Sequence, residues 1–239
     1  MNIVITGASR GVGYQAALHL SKDKENTIYA LSRDAGGLKK LTDESRTKTI
    51  IPLLCDITDE SMVIKAVKNI AERTPGIDVL INNAGYLINK PFEALTLQDW
   101  QQTYAVNVFG VFRITQQLLP LLRKGSLALE KKIHAHVVNI SSMGGIQGSL
   151  KFRGLSAYSS SKGALITLTE CLSEELKEEG IRVNCIALGS VETEMFSTAF
   201  PGMKASAKAD EMGAWVGRFG IEGCIYFNGK TLPISIATP

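Results

Sequence analysis

Short runs of apolar and β-branched residues alternate along the chain with longer stretches whose apolar positions recur every three or four residues. The first pattern is typical of buried strands, and the second of helices that pack on a sheet. The predicted strands occupy residues 2–5, 27–31, 50–54, 79–81, 136–140, 181–187 and 224–227. The predicted helices between them include two long ones, at residues 95–122 and 157–179. With right-handed crossovers, this βαβ alternation predicts an α/β fold with a doubly wound parallel sheet and helices on both faces.

Composition is consistent with one large domain. The 239 residues are 45% hydrophobic and 21% charged, which is enough to bury a core. The formal net charge is only +3, so no basic surface for nucleic acid is expected. The apolar runs are interpreted as too short to span a bilayer, and no charged leader precedes the first strand.

The four cysteines give no sign of a metal site or a disulfide framework. They are scattered without C-x-x-C spacing, at Cys55, Cys171, Cys185 and Cys224. We therefore expect no bound metal, and buried free thiols in a reducing cytoplasm.

A glycine-rich turn, TGASRGVG at residues 6–13, follows the first strand and opens a helix. Gly7 permits a tight turn, Gly11 lets the backbone approach a phosphate, and Gly13 allows the helix to pack closely on the strand. The start of a helix also presents free N–H groups to an anion. The G-x-x-x-G-x-G spacing therefore suits a dinucleotide pyrophosphate, although the motif alone leaves open a turn without a ligand.

Tyr158 and Lys162 are spaced as Tyr-x-x-x-Lys inside a predicted helix, which puts the phenol and the ammonium on one face. An ordinary tyrosine has a pKa of about 10, so it keeps its proton at neutral pH. A neighbouring cation stabilises the phenolate and lowers that pKa. The pair is thus a candidate proton donor with its activator, although many such pairs lie on a solvated surface.

Polar residues follow two further predicted strands. Asn82-Asn83-Ala84-Gly85 follows residues 79–81, and Ser141-Ser142 follows residues 136–140. In an open parallel sheet, ligands bind at the carboxyl ends of the strands. We expect these groups to line the same crevice as the glycine turn.

Taken in order, the glycine turn, the Asn-Asn-Ala-Gly segment, the serine pair and the Tyr-x-x-x-Lys pair make the chain resemble the short-chain dehydrogenase/reductase family. The resemblance covers nearly the whole chain and is to the shorter, single-domain type. It implies a Rossmann-like, NAD(P)-binding domain over residues 1–239. It also implies a short substrate lid around residues 193–212, whose small residues suggest an open, permissive site.

The resemblance implies a catalytic tetrad of Asn107, Ser142, Tyr158 and Lys162. Tyr158 would donate a proton to the carbonyl oxygen, and Lys162 would lower its pKa and bind the nicotinamide ribose. Ser142 would hydrogen-bond the substrate oxygen, with Ser141 as the rival for that role. Asn107, in a kinked part of the long helix, would hold a water that passes protons to Lys162. Taken alone, Asn107 could equally be a satisfied core amide.

The cofactor preference follows from the end of the second strand. Ser32 and Arg33 stand where NAD-preferring relatives carry an acidic residue, and a guanidinium suits a 2′-phosphate. Arg10 adds a second cation, so the resemblance implies NADP(H) in preference to NAD(H). Asp34 is interpreted as a helix N-cap, and Arg33 could instead be a solvated surface residue. The other expected cofactor contacts are Gly7, Ser9, Gly11, Val12, Gly13, Asp56, Ile57, Asn83, Ala84, Gly85, Tyr158, Lys162, Val191 and Thr193.

Two departures from the family pattern lie near the expected site. Ser142 and Tyr158 are further apart than is typical, and the excess falls in residues 148–154. Leu188 stands where the family often has a proline. Because proline stiffens a turn, we expect a looser turn and weaker ordering of the cofactor.

The expected function is NADPH-dependent reduction of a small ketone or aldehyde to an alcohol by a homodimer or homotetramer, with no nucleic-acid or membrane partner. One alternative is reduction of 3-oxoacyl thioesters on acyl carrier protein. Acidic residues on the second long helix argue against that carrier: Glu170, Glu174, Glu175, Glu178 and Glu179. An alternative of another class is a non-catalytic NADPH-binding redox sensor, against which the complete tetrad argues.

Overall fold

A seven-stranded parallel sheet forms the centre of the protein in the computed structural model, which describes residues 1–235. The strands are β1 (Asn2–Thr6), β2 (Thr27–Ser32), β3 (Ile50–Leu54), β4 (Val79–Asn82), β5 (Ala135–Ser142), β6 (Ile181–Leu188), β7 (Val191–Glu192), β8 (Ala207–Lys208) and β9 (Thr231–Ile234). Seven of them form the main sheet in the order β3-β2-β1-β4-β5-β6-β9, and β7 pairs with β8 separately. The order reverses between β1 and β4, and this switch point opens a crevice at the carboxyl ends of the strands.

Helices cover both faces of the sheet. They are α1 (Gly11–Leu20), α2 (Ala35–Glu44), α3 (Glu60–Ala71), α4 (Leu97–Tyr104), α5 (Val111–Leu122), α6 (Ser156–Glu175), α7 (Glu194–Ala199) and α8 (Ala209–Glu222). Ile3 and Ile5 of β1 pack into the core formed with α1, α2 and α8, whereas Val4 packs into the opposite core with α3 and α5. Successive strand residues thus point to opposite buried faces. The predicted doubly wound α/β fold is confirmed.

The predicted last strand was wrong. Residues 224–227 lie in and after a 3₁₀ turn, Gly223–Ile225, and Tyr226 is 81% exposed. The backbone N–H groups of Tyr226 and Phe227 donate back to the carbonyl of Gly223, which closes the chain on itself. The last strand is β9, which contains Pro233. An edge strand tolerates proline because one side of its backbone needs no partner.

The first long helix runs from Leu97 to Leu122 and contains a π-helical segment, Ala105–Gly110, between α4 and α5. In the part of the chain that the structure describes, this helix alone is long and apolar enough to cross a bilayer, with a mean hydropathy of 1.2. By length and composition alone, this helix departs from the prediction that every apolar run is too short. Half of that apolar stretch is buried inside the protein, and core helices pass the same test, so this is weak evidence for a membrane.

The cysteines differ from their prediction at one position. Cys55, Cys185 and Cys224 are buried free thiols, but Cys171 is exposed. It lies on the solvent side of α6, whereas Leu165 and Thr169 of that helix are buried.

Candidate active site

A cavity of about 670 Å³ opens at the switch point between β1 and β4. Its walls come from the glycine turn, the carboxyl ends of the strands, the start of α6 and the segment after β6. It brings together seventeen of the residues singled out from the sequence: Gly7, Ser9, Arg10, Gly11, Val12, Ser32, Arg33, Asp56, Ile57, Asn83, Ala84, Gly85, Ser142, Tyr158, Lys162, Val191 and Thr193. Gly13 and Asn107 do not line it.

The glycine turn is shaped by backbone conformations that favour glycine. Gly7 and Gly11 have φ angles of +66° and +60°. A Cβ on Gly7 would lie 2.7 Å from the Cα of Ala84. A Cβ on Gly13 would lie 2.3 Å from Nδ2 of Asn83, an amide that donates to the carbonyls of Thr6 and Gly7. Gly13 therefore allows close packing against β4 but is not a wall of the cavity.

The start of α1 is open to an anion. Its N-cap residue is Arg10, and no side chain caps the first N–H groups. By contrast, Asp34 caps α2 as predicted, since its carboxylate accepts from the backbone N–H of Gly37 at 3.0 Å. Uncapped N–H groups at a helix start attract phosphate. The turn and the cavity therefore fit the pyrophosphate of a dinucleotide.

Two arginines line the part of the cavity beside the glycine turn, and each is paired with a carboxylate. Nη1 of Arg33 is 3.7 Å from Oδ2 of Asp56. Nη1 of Arg10 is 2.9 Å from Oε2 of Glu194, which joins the glycine turn to α7. The Arg33 side chain is 62% exposed, so its guanidinium is within reach of a ligand from solvent.

Tyr158 and Lys162 lie together near the start of α6, with Nζ of Lys162 5.8 Å from the centre of the Tyr158 ring. Burial raises the pKa of Tyr158 to about 12, against a smaller opposing effect of its hydrogen bond with Ser142. Burial also lowers the pKa of Lys162 to about 8. Burial therefore sets the direction of the shift in the Tyr158 pKa, and Nζ of Lys162 donates to the carbonyl of Ile140 at 2.7 Å. The lowering by Lys162 that the family resemblance implies stays a prediction.

The structure distinguishes the two serines at the end of β5. Both serines line the cavity, but Ser142 is the one that hydrogen-bonds Tyr158. The hydroxyl of Ser141 instead donates to the backbone carbonyl of Lys162 at 2.8 Å and is buried. Only Ser142 therefore places its hydroxyl beside the phenol.

Asn107 is a fully buried amide in the π-helical segment. Its Oδ1 accepts from the backbone N–H of Tyr86 at 2.8 Å, and its Nδ2 donates to the carbonyl of Tyr86 and to Oγ of Ser161, each at 2.9 Å. The side chain therefore ties the segment after β4 to α6. The π-helical segment matches the kink that the family resemblance implies, and a water held there stays a prediction.

The turn that follows Leu188 is held on two sides. Leu188 is a buried residue of β6, and the next N–H, of Gly189, donates to the carbonyl of Ile234 at 2.9 Å. The hydroxyl of Ser190 accepts from the N–H of Ser206 at 3.0 Å. These two hydrogen bonds connect the turn to neighbouring segments, and the weaker ordering of the cofactor that the sequence predicts stays a prediction.

Sequence reasoning missed the apolar side of the cavity. Its lining side chains are Leu87, Met143, Phe152, Leu155, Phe196, Phe200 and Met203. The sequence indicates the two segments, the longer loop at 148–154 and the lid at 193–212, but not which of their side chains line the cavity. Bulky apolar residues in otherwise small and polar loops were the available signal. The lid contains α7 and β8 and meets α8 at Ala209, so residues 209–212 belong to a core helix.

Comparisons with known proteins agree with this architecture. The family model for short chain dehydrogenase matches residues 1–204. The chain is 30% identical over 215 residues to an oxidoreductase of Botryotinia fuckeliana, covering 90% of this chain and 73% of that protein. It is 31% identical over 220 residues to a 3-oxoacyl-[acyl-carrier-protein] reductase of Aquifex aeolicus, covering 91% and 83% of the two chains.

Among solved structures, a 3-ketoacyl-(acyl-carrier-protein) reductase from Brucella melitensis, complexed with NADH, superposes with a TM-score of 0.85. The match is 24% identical and covers 98% of this chain and 96% of that chain, and it shows a shared fold. Fold, site and relatives together define an oxidoreductase that uses a nicotinamide cofactor. The chain belongs to the short-chain dehydrogenase/reductase family.

Proposed function

We propose that this protein uses NADPH to reduce a ketone or aldehyde to an alcohol, with Tyr158 as the proton donor. One observation carries the proposal: Tyr158 and Ser142 line the same cavity as the uncapped start of α1. The hydroxyls of Tyr158 and Ser142 suit a carbonyl oxygen, and the start of α1 suits a dinucleotide phosphate. When bound there, the nicotinamide nucleotide supplies the hydride.

The cofactor half of the cavity supports binding of NADPH. The N–H groups of the glycine turn and of α1 would bind the pyrophosphate, and Arg33 with Arg10 would bind the 2′-phosphate. The remaining contacts follow the family pattern, with Asp56 and Ile57 beside the adenine, Asn83 and Ala84 at the ribose, and Val191 and Thr193 at the carboxamide. All of these residues line the cavity.

Proton transfer follows from the two shifted pKa values. With a pKa of about 12, Tyr158 stays protonated at neutral pH and can donate to a substrate oxygen beside it. Ser142 would hydrogen-bond that oxygen and hold it at the phenol. Lys162, with a pKa of about 8, is mostly protonated at neutral pH. It would stabilise the phenolate as it forms and bind the nicotinamide ribose, while Asn107 would hold the water that returns the proton.

Self-association and location complete the proposal. Phe109 and Phe112, around the π-helical segment and the start of α5, are 53% and 48% exposed. Large exposed aromatics on one helix are typical of a protein interface. We therefore propose a cytoplasmic homodimer or homotetramer that pairs its long helices.

Reduction of 3-oxoacyl thioesters on acyl carrier protein is the second candidate, because the Aquifex aeolicus relative is such a reductase. The surface at the end of α6 argues against an acidic carrier. Glu174 pairs with Lys177, and Glu179 pairs with Arg123 at 2.6 Å, so basic groups there are already engaged by acidic ones. A ketone or aldehyde free of a carrier is therefore preferred.

The test is NADPH oxidation by the wild type and by Tyr158→Phe over a panel of aldehydes, ketones, quinones and a 3-oxoacyl thioester. Removing a general acid should lower turnover by about a thousandfold while NADPH binding, followed by fluorescence, is retained. Tyr226→Phe, at an 81% exposed tyrosine, is the matched control and should keep full activity. Tight NADPH binding without turnover of any compound would instead support a redox sensor.

A further inference from the structure

Three phenylalanine side chains form a continuous wall on the substrate side of the cavity. The ring centres of Phe152 and Phe200 lie 5.9 Å apart in an edge-to-face arrangement at 62°. Those of Phe196 and Phe200 lie 5.3 Å apart at 40°. All three side chains line the cavity that also contains Tyr158. We refer to Phe152, Phe196 and Phe200 as the aromatic wall.

The aromatic wall joins two segments that are far apart in sequence. Phe152 belongs to the longer loop at residues 148–154, whereas Phe196 and Phe200 belong to α7 and the residue after it. Hydrogen bonds behind the wall connect the segments. Nδ2 of Asn89 donates to the carbonyl of Ala199 at 2.7 Å, and the next N–H, of Lys90, donates to the carbonyl of Gly154 at 3.0 Å.

A lysine also fixes the loop to the end of β5. Nζ of Lys151 donates to the carbonyl of Gly144 at 2.8 Å and to Oγ of Ser149 at 2.8 Å. Gly144 lies two residues after Ser142, the serine that hydrogen-bonds Tyr158. The loop that carries Phe152 is therefore held in a set position relative to the reacting groups.

A fixed wall of phenyl rings favours a particular kind of ligand. Aromatic rings attract other rings in edge-to-face or offset arrangements, beyond the gain from burying apolar area. Phe152 remains 43% exposed, and the thioether of Met203, which also lines the cavity, is another favourable neighbour for a ring. The wall offers ring faces and dispersion rather than hydrogen bonds, which suits the apolar body of a substrate.

We propose that the aromatic wall binds the ring of an aryl or fused-ring ketone and selects such substrates over open-chain carbonyl compounds. The assignment rests on the proposed function, because the ketone oxygen is placed at Tyr158 and Ser142. Phe152 and Phe200 are the residues that determine this specificity. The longer loop between Ser142 and Tyr158 thereby supplies a binding surface for the substrate.

The test compares 2-tetralone with 2-decanone, two ketones with the same number of carbon atoms. The open chain has more apolar area, so burial alone would favour 2-decanone. Calorimetry on the protein without cofactor should instead show 2-tetralone binding about tenfold more tightly. Phe152→Leu and Phe200→Leu keep an apolar side chain and remove the ring. Each should reduce the preference about threefold, chiefly through weaker binding of 2-tetralone.

Phe92→Leu is the matched control, since Phe92 is 73% exposed and does not line this cavity. It should leave the preference unchanged. Equal binding of the two ketones by the wild type, or a preference that survives both leucine variants, would overturn the proposal.

NADPH oxidation, measured with the same two ketones, separates this proposal from the proposed function. Turnover of both ketones without a ring preference would overturn the proposed role of the aromatic wall and would support the proposed reductase function. Ring-selective binding, with no NADPH oxidation by any carbonyl compound, supports the wall as a ring site and overturns the reductase.

Discussion

The two halves of the cavity are built from different parts of the chain. The cofactor half is formed mainly by backbone, with Gly7 and Gly11 at positive φ and the uncapped N–H groups of α1. The substrate half is formed by side chains, above all Phe152 and Phe200 from separate loops. Under the proposed function, the backbone would bind a phosphate that many cofactors share, while the side chains of the substrate half can differ from one protein to another. We therefore expect the cofactor half to be similar among related proteins and the substrate half to determine which substrate each one binds.

The supports of the two halves differ as well. The glycine turn is held by the amide of Asn83, which directly follows the central strand β4 and donates to the carbonyls of Thr6 and Gly7. The substrate half is held by Asn89 and by Lys151, both in loops. Loops open locally at a lower free-energy cost than central strands. Substitutions in the cofactor half should therefore affect folding, and those in the substrate half should affect mainly specificity.

The largest predicted effect is on the pH dependence of the unfolding free energy, and it is expected for substitution of Lys162. Burial lowers the pKa of Lys162 from its ordinary value of 10.5 to about 8. Between these values the unfolded chain holds a proton that the folded chain has released, so the stability of the wild type rises with pH. Relative to Lys162→Met, the wild type should gain about 3 kcal/mol between pH 8 and pH 10.5, measured by urea unfolding. Lys39→Met, at an exposed position, is the control. A pH-independent difference would show that solvent reaches Lys162.

Arg33→Ala should change cofactor selection without touching the substrate half. Loss of the guanidinium is expected to weaken NADPH binding about tenfold to a hundredfold and to leave NADH binding unchanged. Asp56→Asn should have the opposite effect, because it removes the carboxylate 3.7 Å from Arg33. Fluorescence titration with each cofactor measures both, with Arg46→Ala at another exposed arginine as the control. Equal losses for NADH and NADPH would contradict a 2′-phosphate site.

Gly13→Ala should destabilise the fold from the cofactor half. The added methyl group would meet Nδ2 of Asn83 at 2.3 Å and the carbonyl of Gly7 at 2.8 Å. Overpacking of this kind costs about 1–3 kcal/mol and should lower both the unfolding free energy and the affinity for NADPH. Gly36→Ala in α2 is the control, since its nearest neighbour would lie at an ordinary 3.4 Å. Wild-type stability in Gly13→Ala would mean that Asn83 moves without cost.

Asn89→Ala should give the smallest effect and confine it to the substrate half. It removes the hydrogen bond to the carbonyl of Ala199, worth about 1 kcal/mol. We expect KM for an aryl ketone to rise several-fold with NADPH affinity unchanged. Asn69→Ala on α3, which removes an exposed hydrogen bond from Arg73, is the control. A comparable loss of NADPH affinity would show that the two halves are coupled.

The cofactor half could be predicted from sequence because its chemistry depends on residue type at fixed spacing. Gly7 and Gly11 are glycines because their φ angles favour glycine, and Tyr158 and Lys162 share a helix face because they are four residues apart. Most strands could also be predicted, because a strand that is buried on both faces requires a continuous apolar run.

The substrate half and the last strand could not be predicted, because both depend on contacts between distant segments. Phe152 and Phe200 meet only after the chain has folded, and no periodicity links them. The run at residues 224–227 has the composition of a strand, yet Thr231–Ile234 takes the edge position. Lys162 lies beside the phenol as predicted, with Nζ 5.8 Å from the ring centre, but its hydrogen bond to the carbonyl of Ile140 depends on the packing of α6 against β5.

The position of Asn107 depends on the number of residues in the helix that contains the π-helical segment Ala105–Gly110. Each residue rotates an α-helix by about 100°, and a π turn accommodates an extra residue. Deleting one residue there would restore a regular helix but rotate Asn107 away from Tyr86 and Ser161, or α5 away from the sheet. We therefore expect a change of length in this helix to disturb the site more than a change of length in the loop at residues 148–154. An insertion in that loop would instead reshape the wall that Phe152 contributes and leave Asn107 in place.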